Sequence, residues 1–176
     1  QDDDSTSGEK QAAMLRRIPR LLRFIPGTAQ DVRAYFLTWL YFLASSDENV
    51  ANMVRFLINR YADGPRRGLR GSLTVQDPIE YPDVGVYHPR IAGRVSAEAR
   101  DLPAPEGGGE RGTVGLLLMR SYVLAGDSAH YDGVISALES RGYRVIPAFA
   151  SGLDNRPAVE RYFMADGRAV VDAVVS

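Results

Sequence analysis

The sequence contains no cysteine and almost no lysine, and these two absences exclude several kinds of chemistry. Without cysteine, these 176 residues can form no disulfide, thiolate zinc site, iron–sulfur cluster or nucleophilic thiol. Among the 21 basic residues, Lys10 is the only lysine. A phosphate-binding loop that ends in Gly-Lys-Ser/Thr is therefore absent, and a Schiff-base lysine is not expected.

An excess of charge and long apolar runs are also missing. The formal net charge is −1, which gives no indication of nucleic-acid binding. The longest apolar stretches, at residues 113–119 and 145–150, are far shorter than the roughly 20 residues that span a bilayer. The first ten residues are acidic and polar, so no signal peptide is predicted. The sequence therefore predicts no nucleic-acid partner and no transmembrane segment.

The first third of the chain has the apolar periodicity of amphipathic helices. One helix is predicted over residues 9–24 with a kink at Pro19, and two more follow, capped by Thr28 and by Ser45 or Ser46. The short connection between the last two predicts an αα-hairpin. Their apolar stripes are interpreted as helix-to-helix core rather than as a ligand wall. These stripes are Val32, Tyr35, Phe36, Trp39, Leu40 and Leu43, and then Val50, Met53, Val54, Leu57, Ile58 and Tyr61.

The last third alternates apolar strands with amphipathic helices. Strands are predicted at residues 113–119, 143–150 and 170–175, and helices at 127–141 and 155–164. This alternation is typical of a parallel sheet with helices on both faces. Within the second strand, Pro147 cannot donate a backbone hydrogen bond, which predicts a sheet edge, a bulge or an early end. The inward side of the first helix is predicted as Tyr131, Val134, Ile135 and Leu138.

The predicted fold class is α/β, a helical hairpin followed by a parallel α/β unit of at least three strands. The helical segment covers residues 1–62, and residues 113–176 are the start of a parallel α/β domain. Residues 63–112 are rich in glycine and proline and are assigned as a connecting region. The final residues, VVDAVVS, form an apolar strand with nothing after it. We therefore expect the α/β unit to be incomplete at its carboxyl end and the chain to be part of a longer protein.

Ligands of open parallel sheets gather beyond the carboxyl ends of the strands, and this rule selects the candidate residues. His130 could accept a proton or bind a metal, or Asp127 could cap the helix while His130 only contacts the loop. The other histidine, His88, lies in a different region, so no metal site is predicted. The glycine spacing of a dinucleotide fingerprint is missing after the first strand. The candidate ligand or interface residues are Arg120, Ser121, Tyr122, His130, Ser151 and Gly152.

Four stretches of the sequence carry a resemblance to a known family. They are LLRFIPGTAQDVRAYFLTWLYFLASSDENVANMVRFL, YPDVGVYHPR, GTVGLLLMRSYVLAGDSAHYDGVISALESRGYRVIPAFASGLDNRPAVERYF and DAVVS. They resemble consecutive parts of the large (H) subunit of magnesium chelatase, a family that is also similar to the large subunit of aerobic cobalt chelatase. Nearly the whole chain after about residue 15 is covered, so the resemblance does not depend on one short motif.

The resemblance implies insertion of Mg²⁺ into protoporphyrin IX in chlorophyll or bacteriochlorophyll synthesis, with ATP hydrolysed by two partner subunits of the AAA+ class. It implies that this chain is an N-terminal portion of a much longer, cytoplasmic bacterial subunit, with any membrane association made through its partners. No catalytic motif of the family maps onto these residues, so no catalytic residue is assigned and no cofactor is expected on this portion alone. The alternatives are a fragment of the cobalt chelatase large subunit and a non-catalytic binding or interaction module.

Overall fold

The computed structural model describes most of the chain after residue 28 and a few positions before it. The described residues are 14, 17–19, 21, 22, 27, 29–44, 46–105, 108 and 110–176. Most of the predicted first helix, together with the proposed caps Thr28 and Ser45, lies outside them. The chain divides into two compact units, residues 1–80 and 81–176, so the second unit begins inside the region that the sequence assigns to a connection.

Two helices form the core of the first unit. Helix α1 (Ala29–Ala44) and helix α2 (Asp47–Tyr61) are joined by two residues and pack together, as the predicted hairpin requires. The side chain of Ser46 caps α2 by accepting a hydrogen bond from the Asn49 N–H. The hairpin is therefore confirmed, and Ser46 is the cap of its second helix.

The buried faces of these helices differ from the predicted stripes. In α1 the buried residues are Ala34, Leu37 and Tyr41, whereas Tyr35 of the predicted stripe is 65% exposed. Helix α1 is apolar on almost every side, so its own periodicity contains little information about which side packs. In α2 the buried residues are two asparagines rather than the apolar stripe. Exposed members of the two predicted stripes are Val32, Trp39, Leu43, Val50, Val54 and Tyr61.

Three asparagines of α2 hold an extended segment, residues 73–79, along the helix. An amide side chain offers a donor and an acceptor side by side, so it can pair with a backbone peptide as a neighbouring strand would. Asn49 accepts from the Ile79 N–H at 2.8 Å and donates to the Ile79 carbonyl at 2.9 Å. The three asparagines and their backbone partners are Asn49 with Ile79, Asn52 with Gln76, and Asn59 with Leu73.

The second unit contains a mixed five-stranded sheet. Its strands are β1 (Val84–Tyr87), β2 (Val95–Ser96), β3 (Thr113–Met119), β4 (Arg144–Ala150) and β7 (Ala173–Val175). Their spatial order is β2-β1-β4-β3-β7. A separate two-stranded hairpin contains β5 (Met164–Ala165) and β6 (Arg168–Ala169). The helices are α3 (Arg120–Leu124), α4 (Ala129–Glu139) and α5 (Arg156–Tyr162), with 3₁₀ turns at Gly64–Leu69 and Ala99–Asp101.

The α/β class is confirmed, but the sheet is not wholly parallel. The three predicted strands correspond to β3, β4 and β7, and β3 pairs with β4 and β7 in parallel. Strands β1 and β2 come from the predicted connecting region and pair antiparallel, β1 with β4 and β2 with β1. They were missed because each is short and the pairing of β1 with β4 joins residues distant in the sequence, which local periodicity cannot report.

Strand β4 lies in the interior of the sheet although it contains a proline. Its pairing with β1 covers Ala148 to Ala150 and does not include Pro147. The N–H that proline lacks therefore falls just beyond the end of that ladder. The expected edge or early end is therefore wrong for the strand as a whole, since β4 continues in register with β3 on its other side.

Two apolar clusters cover the opposite faces of the sheet. One contains Ile146, Ala148 and Ala150 of β4 against Phe163, next to α5, and the other contains Val145 and Phe149 against α4. Alternate β4 residues thus enter different cores, as a strand buried on both faces requires. Helix α4 contributes Ile135 as predicted, whereas Val134 is 38% exposed. None of the helices in the described part of the chain has the length and apolar character needed to cross a bilayer.

Gly115 is the point at which β3 and Phe163 come into closest contact. A Cβ at this position would lie 2.7 Å from Phe163 Cε2, so Gly115→Ala should lower the free energy of unfolding by roughly 1–3 kcal/mol. Hydrogen–deuterium exchange of the β3 and β4 amides in the full-length protein measures this change. The control is Gly133→Ala in α4, where an added Cβ meets no atom within 4 Å and should stabilise by up to about 1 kcal/mol. Equal exchange in both variants would contradict the packing argument.

A second test concerns the hydrogen bonds between Asn49 and the backbone of Ile79. Asn49→Ala leaves the N–H and carbonyl of Ile79 without their partner, which should cost roughly 1–3 kcal/mol and speed exchange at residues 73–79. Val50→Ala is the matched control, because Val50 is the exposed neighbour on the same helix. Unchanged protection of the Ile79 amide in Asn49→Ala would show that the pairing does not hold this segment.

Candidate functional site

The six candidate residues lie around the carboxyl edge of the sheet. Met119 of β3 is paired with Ala150 of β4, so the segments that follow these two strands leave the sheet side by side. Candidates 120–122 form the first turn of α3, candidates 151 and 152 follow β4, and His130 is the second residue of α4. The candidates therefore lie on neighbouring segments, as expected for residues that follow the ends of adjacent parallel strands. Their position does not show which of them contact a ligand.

Arg120 is used within the fold. Its guanidinium donates from Nε to the Pro82 carbonyl at 3.0 Å and from Nη2 to the Tyr81 carbonyl at 3.4 Å. These bonds attach the residues before β1 to the end of β3. Arg120 is half-buried and is better explained as a structural contact than as a ligand-binding cation.

Tyr122 and His130 are the two candidates that the structure brings into contact. Their ring centroids are 5.8 Å apart at an angle of 87°, an edge-to-face arrangement. The His130 ring also lies 3.9 Å from the ring of Tyr131, whose hydroxyl accepts a hydrogen bond from the Met119 N–H at 3.0 Å. We call Tyr122, His130 and Tyr131, whose rings are in contact, the edge cluster. Tyr122 is 43% exposed, so one large side chain of the cluster faces solvent.

Residues 151–154, which follow β4, are exposed. Gly152 has a φ of 80°, and an added Cβ would meet no atom within 4 Å, so its glycine serves the backbone turn. Leu153 is 89% exposed. Further on, Arg156 hydrogen-bonds the Asp154 side chain and holds the pKa of that carboxyl at about 2. Ser151 and Gly152 remain candidates by position alone.

A buried hydroxyl is hydrogen-bonded to the start of α4, the helix that carries His130. Tyr87, at the end of β1, is fully buried; its hydroxyl donates to the Asp132 carboxylate at 2.5 Å and lies 2.8 Å from Ser128 Oγ. Burial and the Asp132 hydrogen bond raise the pKa of Tyr87 to about 12. Ser128, not Asp127, occupies the N-cap position of α4, and its side chain makes no capping hydrogen bond, so the cap at Asp127 that the sequence allowed is wrong. The first turn of α4, which carries His130, is thus attached to β1.

Arg94 completes this polar group from the turn between β1 and β2. Its guanidinium pairs with Asp132 at 2.6 Å and lies over the Tyr87 ring, 5.2 Å from the centroid. Arg94 has a φ of 65°, a left-handed conformation that costs a non-glycine residue roughly 1 kcal/mol or more. The ion pair and the ring contact offset that strain.

A second buried group contains the other histidine. His88 is 2% exposed and Glu139 is 4% exposed. The Arg90 N–H donates to His88 Nδ1 at 3.1 Å, which leaves the Nε2 proton to donate to Glu139 Oε1 at 3.3 Å. Arg90 Nη2 also pairs with Glu139 Oε2 at 3.0 Å. Burial lowers the pKa of His88, although Glu139 partly opposes this change.

Sequence reasoning did not find the residues of these two buried groups. One signal was present: Asp132, Ile135 and Glu139 are spaced three and four apart, so two acids share the helix face that carries the core isoleucine. Charged residues on a buried face need partners, which Tyr87 and His88 supply from β1 and the residue after it. Among the described residues, no three or more metal-binding side chains converge.

Comparison with known proteins assigns the family. The family described as CobN/Magnesium Chelatase matches residues 39–176, and a domain of unknown function, DUF3479, matches residues 1–36. The chain belongs to the CobN/Magnesium Chelatase family. The magnesium-chelatase H subunit of Cereibacter sphaeroides is 49% identical over 99% of this chain, and that of Rhodobacter capsulatus is 51% identical over 89%. The chloroplastic magnesium-chelatase ChlH protein of rice is 31% identical over 93%.

These relatives are far longer than the chain. This member of the CobN/Magnesium Chelatase family spans 14% of the length of the Cereibacter protein and 13% of the Rhodobacter protein. Among solved structures, the catalytic subunit of cobaltochelatase from Mycobacterium tuberculosis matches with a TM-score of 0.51 and 18% identity, over 80% of this chain and 10% of that one. That match shows a shared fold.

The buried His88 predicts a dependence of stability on pH. Because its pKa is lowered in the folded state, the unfolded chain, with a histidine pKa of about 6.5, binds the proton more readily. The contribution of His88 is therefore complete above about pH 6.5 and is lost as the pH falls below it. Hydrogen–deuterium exchange of the 84–96 hairpin in the full-length protein should accelerate between about pH 7.5 and about pH 5.5, beyond the intrinsic pH effect on exchange.

Two variants separate this effect from general acid sensitivity. His88→Gln removes the titrating ring, so the hairpin's excess acceleration at low pH should largely disappear. His130→Gln changes the exposed histidine of the same unit and should leave the acceleration as it is. Retention of the acceleration in both variants would show that His88 does not cause it.

Proposed function

We propose that this chain is a scaffold and interface part of the porphyrin-binding subunit of a magnesium chelatase. The whole subunit would bind protoporphyrin IX while Mg²⁺ is inserted, with ATP hydrolysed by two partner subunits of the AAA+ class, in chlorophyll or bacteriochlorophyll synthesis. The observation that carries the proposal is the 49% identity to a magnesium-chelatase H subunit over 99% of the chain. In bacteria, the assembly would work in the cytoplasm and reach a membrane only through its partners.

The polar clusters of the second unit support a structural role. The Tyr87–Asp132–Arg94 group and the His88–Glu139–Arg90 group are used to fasten the 84–96 hairpin to α4. Their donors and acceptors are hydrogen-bonded or ion-paired to one another. Mg²⁺ and the porphyrin would accordingly be substrates of the whole subunit, with the insertion chemistry on other parts of it.

The second candidate is that the chain is part of the large subunit of a cobalt chelatase. The observation in its favour is the fold shared with the catalytic subunit of cobaltochelatase, at a TM-score of 0.51. Identity favours magnesium, because it is 49% and 51% to the two bacterial magnesium-chelatase proteins and 18% to the cobaltochelatase subunit.

A chimaera tests the proposed function. The matching segment of the Cereibacter sphaeroides H subunit is replaced by this chain, and the purified chimaera is combined with its partner subunits, protoporphyrin IX, Mg²⁺ and ATP. Because the two segments are 49% identical, we expect ATP-dependent formation of fluorescent magnesium porphyrin within about tenfold of the unmodified rate.

The control chimaera carries the Rhodobacter capsulatus segment, which should behave in the same way. In parallel, this chain replaces the matching segment of the Mycobacterium tuberculosis cobaltochelatase subunit. Cobalt insertion by that second chimaera, without magnesium insertion by the first, would support the second candidate. A first chimaera that binds its partner subunits and inserts no Mg²⁺ would contradict the proposed function.

A further inference from the structure

One side of helix α1 is apolar and exposed, and we call it the α1 stripe. Its residues are Val32, Tyr35, Trp39 and Leu43. They are spaced by three and four positions, so they lie along one side of the helix. The side that is buried, with Ala34, Leu37 and Tyr41, is about half a turn away. Helix α1 is therefore apolar on two opposite sides, and the described part of the chain covers one of them.

The stripe has the properties of a packing surface. Tyr35 is 65% exposed, and its ring lies 6.3 Å from the ring of Trp39, so the two form one continuous apolar area. Single apolar residues are common on protein surfaces, whereas a contiguous exposed patch marks an interaction site. A helix that is apolar all round is normally buried in the native protein.

The spacing and composition of the stripe indicate what covers it. A row of apolar side chains at steps of three and four fits the side chains of a second helix. Permanent interfaces resemble a core, whereas those that form and separate are more polar. No charged residue is present between residues 34 and 46, which favours a permanent contact.

The comparisons favour a helix of the same polypeptide. The family match that ends at residue 36 and the match that begins at residue 39 meet inside α1, which continues through this point as one helix. The stripe therefore belongs to both matched regions. Because this chain spans only 14% of the Cereibacter H subunit, a protein of that size has ample further sequence to supply the covering helix.

From these observations we propose that the α1 stripe packs against a helix of the same polypeptide that lies outside residues 1–176. The inference rests on the proposed function in taking the chain as part of a longer subunit. It adds the surface by which this part is joined to the rest.

Photo-crosslinking in the full-length Cereibacter chimaera tests the contact. Tyr35→p-benzoylphenylalanine places a photoreactive ring in the stripe. The control is Leu153→p-benzoylphenylalanine, at a loop residue that is 89% exposed. Crosslinked peptides are identified by mass spectrometry after illumination. At position 35 we expect one predominant crosslink, within a single polypeptide, to a helix outside residues 1–176. Its yield should be several-fold above that of any crosslink from position 153.

Variants give an independent measurement. Tyr35→Asp places a carboxylate in the contact, where it is costly to bury. Hydrogen–deuterium exchange in residues 29–44 and in the crosslinked helix should therefore become several-fold faster. Leu153→Asp makes the same change at an exposed loop residue and should leave exchange in both helices unchanged. If Tyr35→Asp does not fold, Tyr35→Ala removes the ring without adding a charge and should accelerate exchange in the same peptides to a smaller extent.

Three results would overturn the inference. They are a crosslink from position 35 to a second copy or to a partner subunit, a crosslink yield no higher than at position 153, and unchanged exchange in the folded Tyr35 variants. If the chimaera still inserts Mg²⁺ in any of these cases, the proposed function stands and only the contact is wrong.

Discussion

The backbone pairing of β4 is the constraint on which the second unit depends. This strand is hydrogen-bonded to β1 on one side and to β3 on the other, and its alternate side chains enter two different cores. A strand in this position has no free side, so its register sets that of its neighbours. The parallel register with β3 also brings the ends of both strands, and the segments that follow them, to the same edge.

The Tyr87–Asp132–Arg94 and His88–Glu139–Arg90 groups fix how the 84–96 hairpin packs on α4. Apolar packing alone would allow the 84–96 hairpin several placements on α4, because hydrophobic contacts are not directional. The Asp132 and Glu139 carboxylates accept bonds from two successive residues, Tyr87 and His88, and so favour one placement. In the described part of the chain, every buried side-chain nitrogen and oxygen has a hydrogen-bond partner. Satisfied in this way, buried polar groups add specificity without a large penalty.

The fold of this segment does not by itself determine which metal a chelatase inserts. A similar fold is present in the catalytic subunit of cobaltochelatase, whereas the sequences that are 49% and 51% identical are magnesium-chelatase subunits. Function depends on sites placed on a fold, and a shared scaffold can serve related reactions. A supporting role for the segment is compatible with both facts, since a scaffold can be retained while the inserting site changes.

The candidate site was predictable in position and not in arrangement. The rule that ligands bind at strand ends located Tyr122 and His130 on neighbouring segments, because strands 113–119 and 143–150 are continuous apolar runs. It could not show that the two rings meet edge to face. Nor could it show that the Arg120 guanidinium donates a hydrogen bond to the Pro82 carbonyl, just before β1. The Arg120 contact joins residues far apart in the sequence, and the ring contact depends on how two helices are oriented.

The sequence by itself determined the elements whose pattern is local: the helical hairpin, β3, β4, α4 and α5, along with the family. Only the tertiary structure decided which face of α1 is buried. That helix is apolar on nearly all sides, so its sequence does not indicate which side packs. It also decided that β1 lies inside the sheet, since this four-residue strand pairs with β4 more than sixty positions away, as in the pairing of Val84 with Ala150. The physical reason is the same in both cases: burial and pairing are properties of two surfaces, and a sequence segment contains only one of them.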